Sequence, residues 1–157
     1  MTPERIPIAA DHAGFEMKAR LSRVLRDRGF VVDDKGANSP EATDYPGYAK
    51  AVASAVSTGT AKRGVLLCGS GIGMDIVANR YRGVRAALAW NAEIASLSRR
   101  HNDSNILVLP ARYISEEEGI RMLEAWLTTD FEGGRHQRRV MQIDTGAGPG
   151  IAGEADK

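Results

Sequence analysis

A single cysteine, Cys68, leaves the 157-residue chain unable to close a disulfide on itself. There is no C-x-x-C pair and no His/Cys cluster at zinc-ligand spacing, so the sequence carries no sign of a structural metal. Lysine and arginine total 21 against 20 acidic residues, a net charge of +1. Without a basic excess to drive counterion release, nucleic acid is not an expected partner. No apolar run approaches the ~20 residues of a membrane span, and Met-Thr-Pro-Glu-Arg-Ile-Pro-Ile lacks the apolar stretch of a signal peptide. The expectation is a soluble, cytoplasmic chain that meets neither membrane nor nucleic acid. Aromatics make up 6% of residues, and the five Met and two Trp read as core or interface packing rather than a cofactor box.

What remains is the make-up of an ordinary globular protein, with 43% hydrophobic and 26% charged residues. Its length suits one domain that buries roughly 70% of its unfolded surface. Apolar runs predict strands at Ile6–Ala10, Phe30–Asp33, Val65–Cys68, Arg85–Ala89 and Ile106–Leu109. Between them, helical spacing predicts helices over 15–28, 72–80 and 92–101, and a further one after Pro46 with Ala49, Val52, Ala53 and Val56 on one face. Ser115-Glu116-Glu117-Glu118 is a capping box for a fifth helix with Ile120, Leu123 and Leu127 inward, and Gly133-Gly134 precedes a last helix over 135–144. Five β/α units imply a three-layer α/β/α sandwich: a Rossmann-like, five-stranded parallel sheet with an extra C-terminal helix. The domain spans 1–144; residues 145–157, with four Gly and one Pro, read as a disordered tail. Pro7 inside the first strand costs a ladder bond unless its nitrogen sits at the strand's start, facing no partner.

The most informative segment is Gly64-Val65-Leu66-Leu67-Cys68-Gly69-Ser70-Gly71-Ile72-Gly73. A strand ends in the thiol, a glycine turn follows, and Met74-Asp75-Ile76 continues as a helix. Ligands of open α/β sheets sit at such strand ends. Helix N–H groups there favour a thiolate and can hold an oxyanion beside it. The loop is not the dinucleotide G-x-G-x-x-G, and no G-K-[ST] follows for a nucleotide phosphate. A tight turn with an inert buried cysteine is the competing reading.

Polar residues after the other strands share that rim: Asp11 and His12, the loop up to Tyr45, and Arg112. Asp11 equally suits a helix cap. His101 and Asn102 close the fourth helix, where a histidine and a left-handed asparagine cap are both ordinary. Arg135 and Arg139 lie four apart on one helix face, placed to fork around an anion or to face water, with Arg138 pointing elsewhere.

Asp11-His12-Ala13-Gly14, Thr43-Asp44-Tyr45-Pro46, Cys68-Gly69-Ser70-Gly71-Ile72-Gly73, His101-Asn102-Asp103 and Glu132-Gly133-Gly134-Arg135-His136-Gln137-Arg138-Arg139 together resemble ribose-5-phosphate isomerase type B. That family also holds galactose-6-phosphate and allose-6-phosphate isomerases. The likeness runs in order over about residues 5–144. It implies reversible aldose–ketose isomerisation of a phosphosugar, without metal or organic cofactor, in a homodimer or a pair of such dimers with sites at the subunit interface. By position it implies Cys68 as the base between C1 and C2 and His101 as the acid/base that opens the ring. Asp11, His12, Gly69, Ser70, Gly71, Ile72, Gly73 and Asn102 match substrate contacts, Arg135 and Arg139 phosphate contacts, and Tyr45 and Arg112 rim positions. Ser70 stands where many relatives have threonine. Asp75 is the possible alternative base, since some relatives that lack the cysteine use a glutamate at this very position. The rival readings are an isomerase of another phosphosugar, including a tetrulose 4-phosphate, and a non-catalytic phosphosugar-binding module.

Overall fold

The structure, a computed structural model, describes residues 2–145. Its elements are β1 Arg5–Ala10, α1 Phe15–Asp27, β2 Val31–Asp34, α2 Tyr45–Ser57, β3 Gly64–Cys68, α3 Ile72–Ala78, β4 Ala86–Leu88, α4 Ala92–Asn102, β5 Ile106–Pro110, α5 Glu116–Thr128 and α6 Arg135–Asp144. A 3₁₀ turn, His12–Gly14, joins β1 to α1. The five strands form one parallel sheet in the order β2-β1-β3-β5-β4. The doubly wound α/β architecture read from the sequence is therefore the one observed. The proposed tail, past Thr145, lies outside the described residues.

β3 and β5 are buried along their whole length, as strands covered on both faces must be. Val65 and Leu67 pack with Leu21 and Leu25 of α1 and Met122 and Trp126 of α5. Leu66 and Cys68, offset by one, pack on the opposite face with Val52 and Val56 of α2 and Met74 of α3. The two-residue period of a strand sends alternate side chains to the two layers. Cys68 thus belongs to the α2–α3 layer.

Pro7 is the third residue of β1, not its first. Its missing N–H is harmless for a different reason. Glu4 and Ile8 turn their carbonyls, and Ala10 its N–H and carbonyl, to the β2 side, whereas Asp11 N–H donates to Leu67 across the β3 side. Alternation puts the Pro7 nitrogen on the β3 side, below Ile8–Val65, where that ladder begins.

Two helix details also depart from expectation. The inward face of α5 is Gly119, Met122, Leu123 and Trp126; Ile120 and Leu127 lie on its flank, half-buried. The bare Cα of Gly119 lets Met17 of α1 come close, and Trp126 Nε1 donates to Ser104 Oγ at 2.9 Å, which turns the helix by one residue position. At the end of α4 the left-handed cap is Asp103, with φ +47°, and Asn102 is the last helical residue. Asp103 is held there by Arg99 Nη1 at 2.9 Å and Arg85 Nη2 at 3.3 Å.

Candidate active site

The strand order reverses between β1 and β3: β2 lies on one side of this pair, β5 and β4 on the other. At such a switch point the following loops part and leave a crevice beyond the carboxyl ends of the strands. Asp11 follows β1 and Cys68 ends β3, so both open onto it. Asp11 Oδ1 caps the 3₁₀ turn by accepting from the N–H groups of Ala13 at 3.0 Å and Gly14 at 3.2 Å. Its Oδ2 accepts from the Cys68 thiol at 3.4 Å. The capping and site readings of Asp11 therefore hold together, one oxygen for each.

The loop behind the thiol is built for close approach. Gly71, the N-cap of α3, has φ +80°, and a Cβ there would lie 2.5 Å from Leu88 Cδ1. Gly73 lies under the Tyr45 ring, where a Cβ would meet Cζ at 2.5 Å. Ser70 Oγ accepts from Ile72 N–H at 3.3 Å, bracing the turn. From the turn after β5, Arg112 donates its N–H to the Gly69 carbonyl at 3.0 Å, and its guanidinium crosses the face of Gly69. His12 Nδ1 accepts from Thr43 N–H at 3.4 Å, tying β1 to the loop before α2. Asp11, His12, Tyr45, Cys68, Gly69 to Gly73 and Arg112 are thus on one rim.

The electrostatics of the thiol run against the sequence reading. The N–H groups of Gly71 and Gly69 do lower its pKa, but burial, the charge of Asp11 and the hydrogen bond to Asp11 outweigh them and push it up. The thiol is a proton donor to Asp11 in this state. Asp75 lies on α3 with Oδ1 buried and without a hydrogen-bond partner. Burial pushes its carboxyl up to about 6, against a Leu88 backbone bond that lowers it.

His101, Asn102, Arg135 and Arg139 are elsewhere. α4 runs antiparallel to the strands, so its last turn lies at their amino ends, next to Asn105, whose N–H and side-chain amide bond the backbone of Arg85 and Gly83. About five strand residues, roughly 17 Å, separate the two rims. On this second rim the His101 ring stacks on His136 of α6, centroids 4.4 Å apart and planes 14° from parallel. Glu132 reaches both rings, with Oε1 4.0 Å from His101 Nε2 and Oε2 3.8 Å from His136 Nε2. Burial, His101 and Arg135 push His136 below the usual imidazole range. Arg135, Arg138 and Arg139 are exposed, as is Asn102. His136 and Glu132 are the neighbours that sequence reasoning passed over. Their only signal was membership of the same motif as Arg135 and Arg139.

A buried thiol–carboxylate pair over a glycine loop, at the switch point of a doubly wound sheet, defines an α/β protein with an acid–base site at its strand ends. Residues 6–143 match the family described as Ribose/Galactose Isomerase, and the chain belongs to that family. It is 44% identical over 140 residues to ribose-5-phosphate isomerase B of Escherichia coli, covering 89% of this chain and 94% of that protein. A crystal structure of a ribose 5-phosphate isomerase from Thermotoga maritima superposes with a TM-score of 0.86 at 48% identity, over 90% of this chain and 97% of that one. Ribose-5-phosphate isomerase B of Mycoplasma genitalium, solved with bound ribulose-5-phosphate, gives 0.88 at 39% identity over 91% and 95% of the two chains.

Proposed function

We propose that this chain interconverts ribose 5-phosphate and ribulose 5-phosphate by proton transfer through an enediolate. The observation that carries the chemistry is the Cys68–Asp11 pair at the β1/β3 crevice. Removing a proton beside a carbonyl needs a base and fixed donors for the oxygen that becomes negative. Cys68 is the base between C1 and C2. Its thiol donates to Asp11, which orients the sulfur in the crevice. The loop N–H groups from Gly69 to Gly73, with Ser70, face the enediolate, and His12, Tyr45 and Arg112 border the sugar.

His101 opens the ring by moving a proton between the anomeric hydroxyl and the ring oxygen, with Asn102 beside it. Arg135 and Arg139 hold the phosphate, which orients the sugar without entering the bond changes. These groups and Cys68 lie on opposite rims of one chain, and one small substrate must touch both. The active unit is therefore a homodimer in which the second rim of each copy completes the first rim of the other. Ile72 and Ile76, both exposed on α3, and exposed Trp90 after β4 give the thiol rim an apolar surface for that contact.

The test is incubation with ribose 5-phosphate in deuterated water. Ketose formation with deuterium at the proton-transfer carbon is the expected result. Turnover of allose 6-phosphate, galactose 6-phosphate or a tetrulose 4-phosphate in its place reassigns the sugar. Binding of all of these without exchange leaves a phosphosugar-binding module.

A further inference from the structure

The second rim brings His101 to Glu132 and His136, a pair four residues apart that lies further along the chain. We propose that His101, Glu132 and His136 form a site for a divalent transition metal of the zinc class, and that metal bound there blocks the isomerase.

Two imidazoles and one carboxylate are a zinc-type donor set that leaves a fourth position open. The ligand atoms of all three residues already lie within 4.8 Å of one another. Tetrahedral coordination at 2.0–2.2 Å sets donors roughly 3.4 Å apart, so the widest gap closes by about 1.4 Å. The nearly parallel rings aim their Nε2 atoms by turning about χ2, a broad torsion for histidine. Glu132 is seated for the role, because its N–H donates to the Arg100 carbonyl at the end of α4 at 3.1 Å. Arg100 Nη1 approaches Oε1 of the same carboxylate at 3.7 Å. That contact is loose and exposed, and a dication bound directly to the carboxylate displaces it. His136 is buried, His101 half-buried and Glu132 exposed, so the carboxylate is the donor most open to a hydrated ion.

The functional consequence rests on the role proposed for His101. Ring opening needs the lone pair on an imidazole nitrogen, and coordination occupies it. A metal there removes the ring-opening acid/base and leaves the Cys68 pair intact, so inhibition falls on the cyclic aldose and spares an open-chain substrate.

Cobalt(II) added to the metal-free protein is the probe, since it reports its coordination by visible absorption. The wild type should give the visible bands of a four- or five-coordinate ion. Glu132→Gln, an exposed substitution that leaves the fold alone, should weaken that binding by at least about tenfold, and His136→Ala likewise. Cys68→Ser should leave the bands unchanged. Bands that persist in Glu132→Gln, a cobalt–thiolate charge-transfer band lost in Cys68→Ser, or no bands at all would each overturn the site. Zinc should then slow ribose 5-phosphate turnover in the wild type, reversibly on chelation, and less in Glu132→Gln. Cobalt bands in the wild type without any such slowing support the metal site and withdraw ring opening from His101, which separates the two claims.

Discussion

At the carboxyl-end rim Cys68 and Asp11 are buried and tied to backbone amides of the loops that carry them, whereas at the amino-end rim Arg135, Arg139 and Asn102 are exposed. There, His101 is held by a ring stack and a distant carboxylate rather than by a backbone bond. The first rim owes its shape to strand ends, a left-handed glycine and side-chain caps. The second owes its shape to helix ends, with Asp103 clamped between Arg85 and Arg99. Proton transfer demands positions fixed to a fraction of an ångström, and short loops between buried strands supply them. Binding a dianion tolerates long, solvated arms, provided something brings them to the reacting carbons. On the proposed function, the contrast is between two unlike halves of a site carried by one copy of this chain.

The sharpest way to break that comparison is to disable each rim in a separate chain. Cys68→Ala should lose about a thousandfold in turnover and all solvent exchange at the reacting carbon, while phosphosugar binding survives. His101→Ala should fail with ribose 5-phosphate yet partly recover with an analogue that cannot cyclise. Mixed and reassembled in equal amounts, the two inactive variants should regain about a quarter of wild-type activity, because half the dimers are mixed and one site in each is then intact. No recovery would return both rims to a single chain and undo the dimer argument.

Next in size is the phosphate clamp. At about 100° of rotation per residue, buried His136 and Val140 define the inner face of α6, Arg139 and Arg135 flank it, and Arg138 points directly away. Arg139→Ala should raise KM by an amount equivalent to about 2–4 kcal/mol with little change in kcat. Arg138→Ala should do almost nothing. Equal effects from both would mean that the helix face does not select the anion-binding arms.

A smaller effect probes the first rim alone. Asp11→Asn keeps the side-chain oxygen that caps the 3₁₀ turn but removes the charge that holds the Cys68 thiol up. The pH midpoint of iodoacetamide alkylation at Cys68 should move down, with alkylation near neutral pH about tenfold faster for each pH unit the midpoint falls. Turnover should drop at the same time, since the thiol loses the charged acceptor that orients it. A midpoint that stays in place would show that burial, not Asp11, sets the thiol.

Much of the first rim was legible because its signals are local. The strand, the thiol, the glycines and Asp11 at the start of a helical turn lie within a few residues of the groups they shape. The second rim was not, because His101 meets Glu132 and His136 only where α6 and the segment before it pack on α4. The same holds for Lys18, a helix residue that is buried with its Nζ 2.7 Å from Asp34 Oδ1 and 2.6 Å from the Ala37 carbonyl. Periodicity marks which helix face is apolar, yet it could not choose between two adjacent stripes on α5. That choice came from Gly119 against Met17 and from the bond of Trp126 to Ser104. The raised thiol had the same origin: dipole and N–H arguments are written in the local sequence, and the opposing carboxylate arrives from another strand.

The smallest expected effect concerns Asp75, the other candidate base, and it sharpens the first rim by subtraction. Its carboxyl stands at about 6 against an ordinary 3.8, chiefly through burial, and Oδ1 has no hydrogen-bond partner. A group whose folded pKa is raised leaves stability intact below the unfolded value and takes it away as pH climbs through the folded one. The window here is therefore about pH 4 to 6, with stability falling across it. The full difference corresponds to at most about 3 kcal/mol at 1.36 per pH unit, and solvent reaching the partly exposed side chain reduces that to about 1. Asp75→Asn should therefore gain about 1 kcal/mol of unfolding free energy at pH 7.5 and nothing at pH 4, measured by urea denaturation at both. It should also keep measurable exchange of the substrate proton. If stability is unchanged at pH 7.5 while exchange disappears, Asp75 is a working carboxylate and the base belongs to it. A stability gain with exchange retained leaves the proton to Cys68, with Asp75 a half-buried carboxyl whose ionisation only costs the fold.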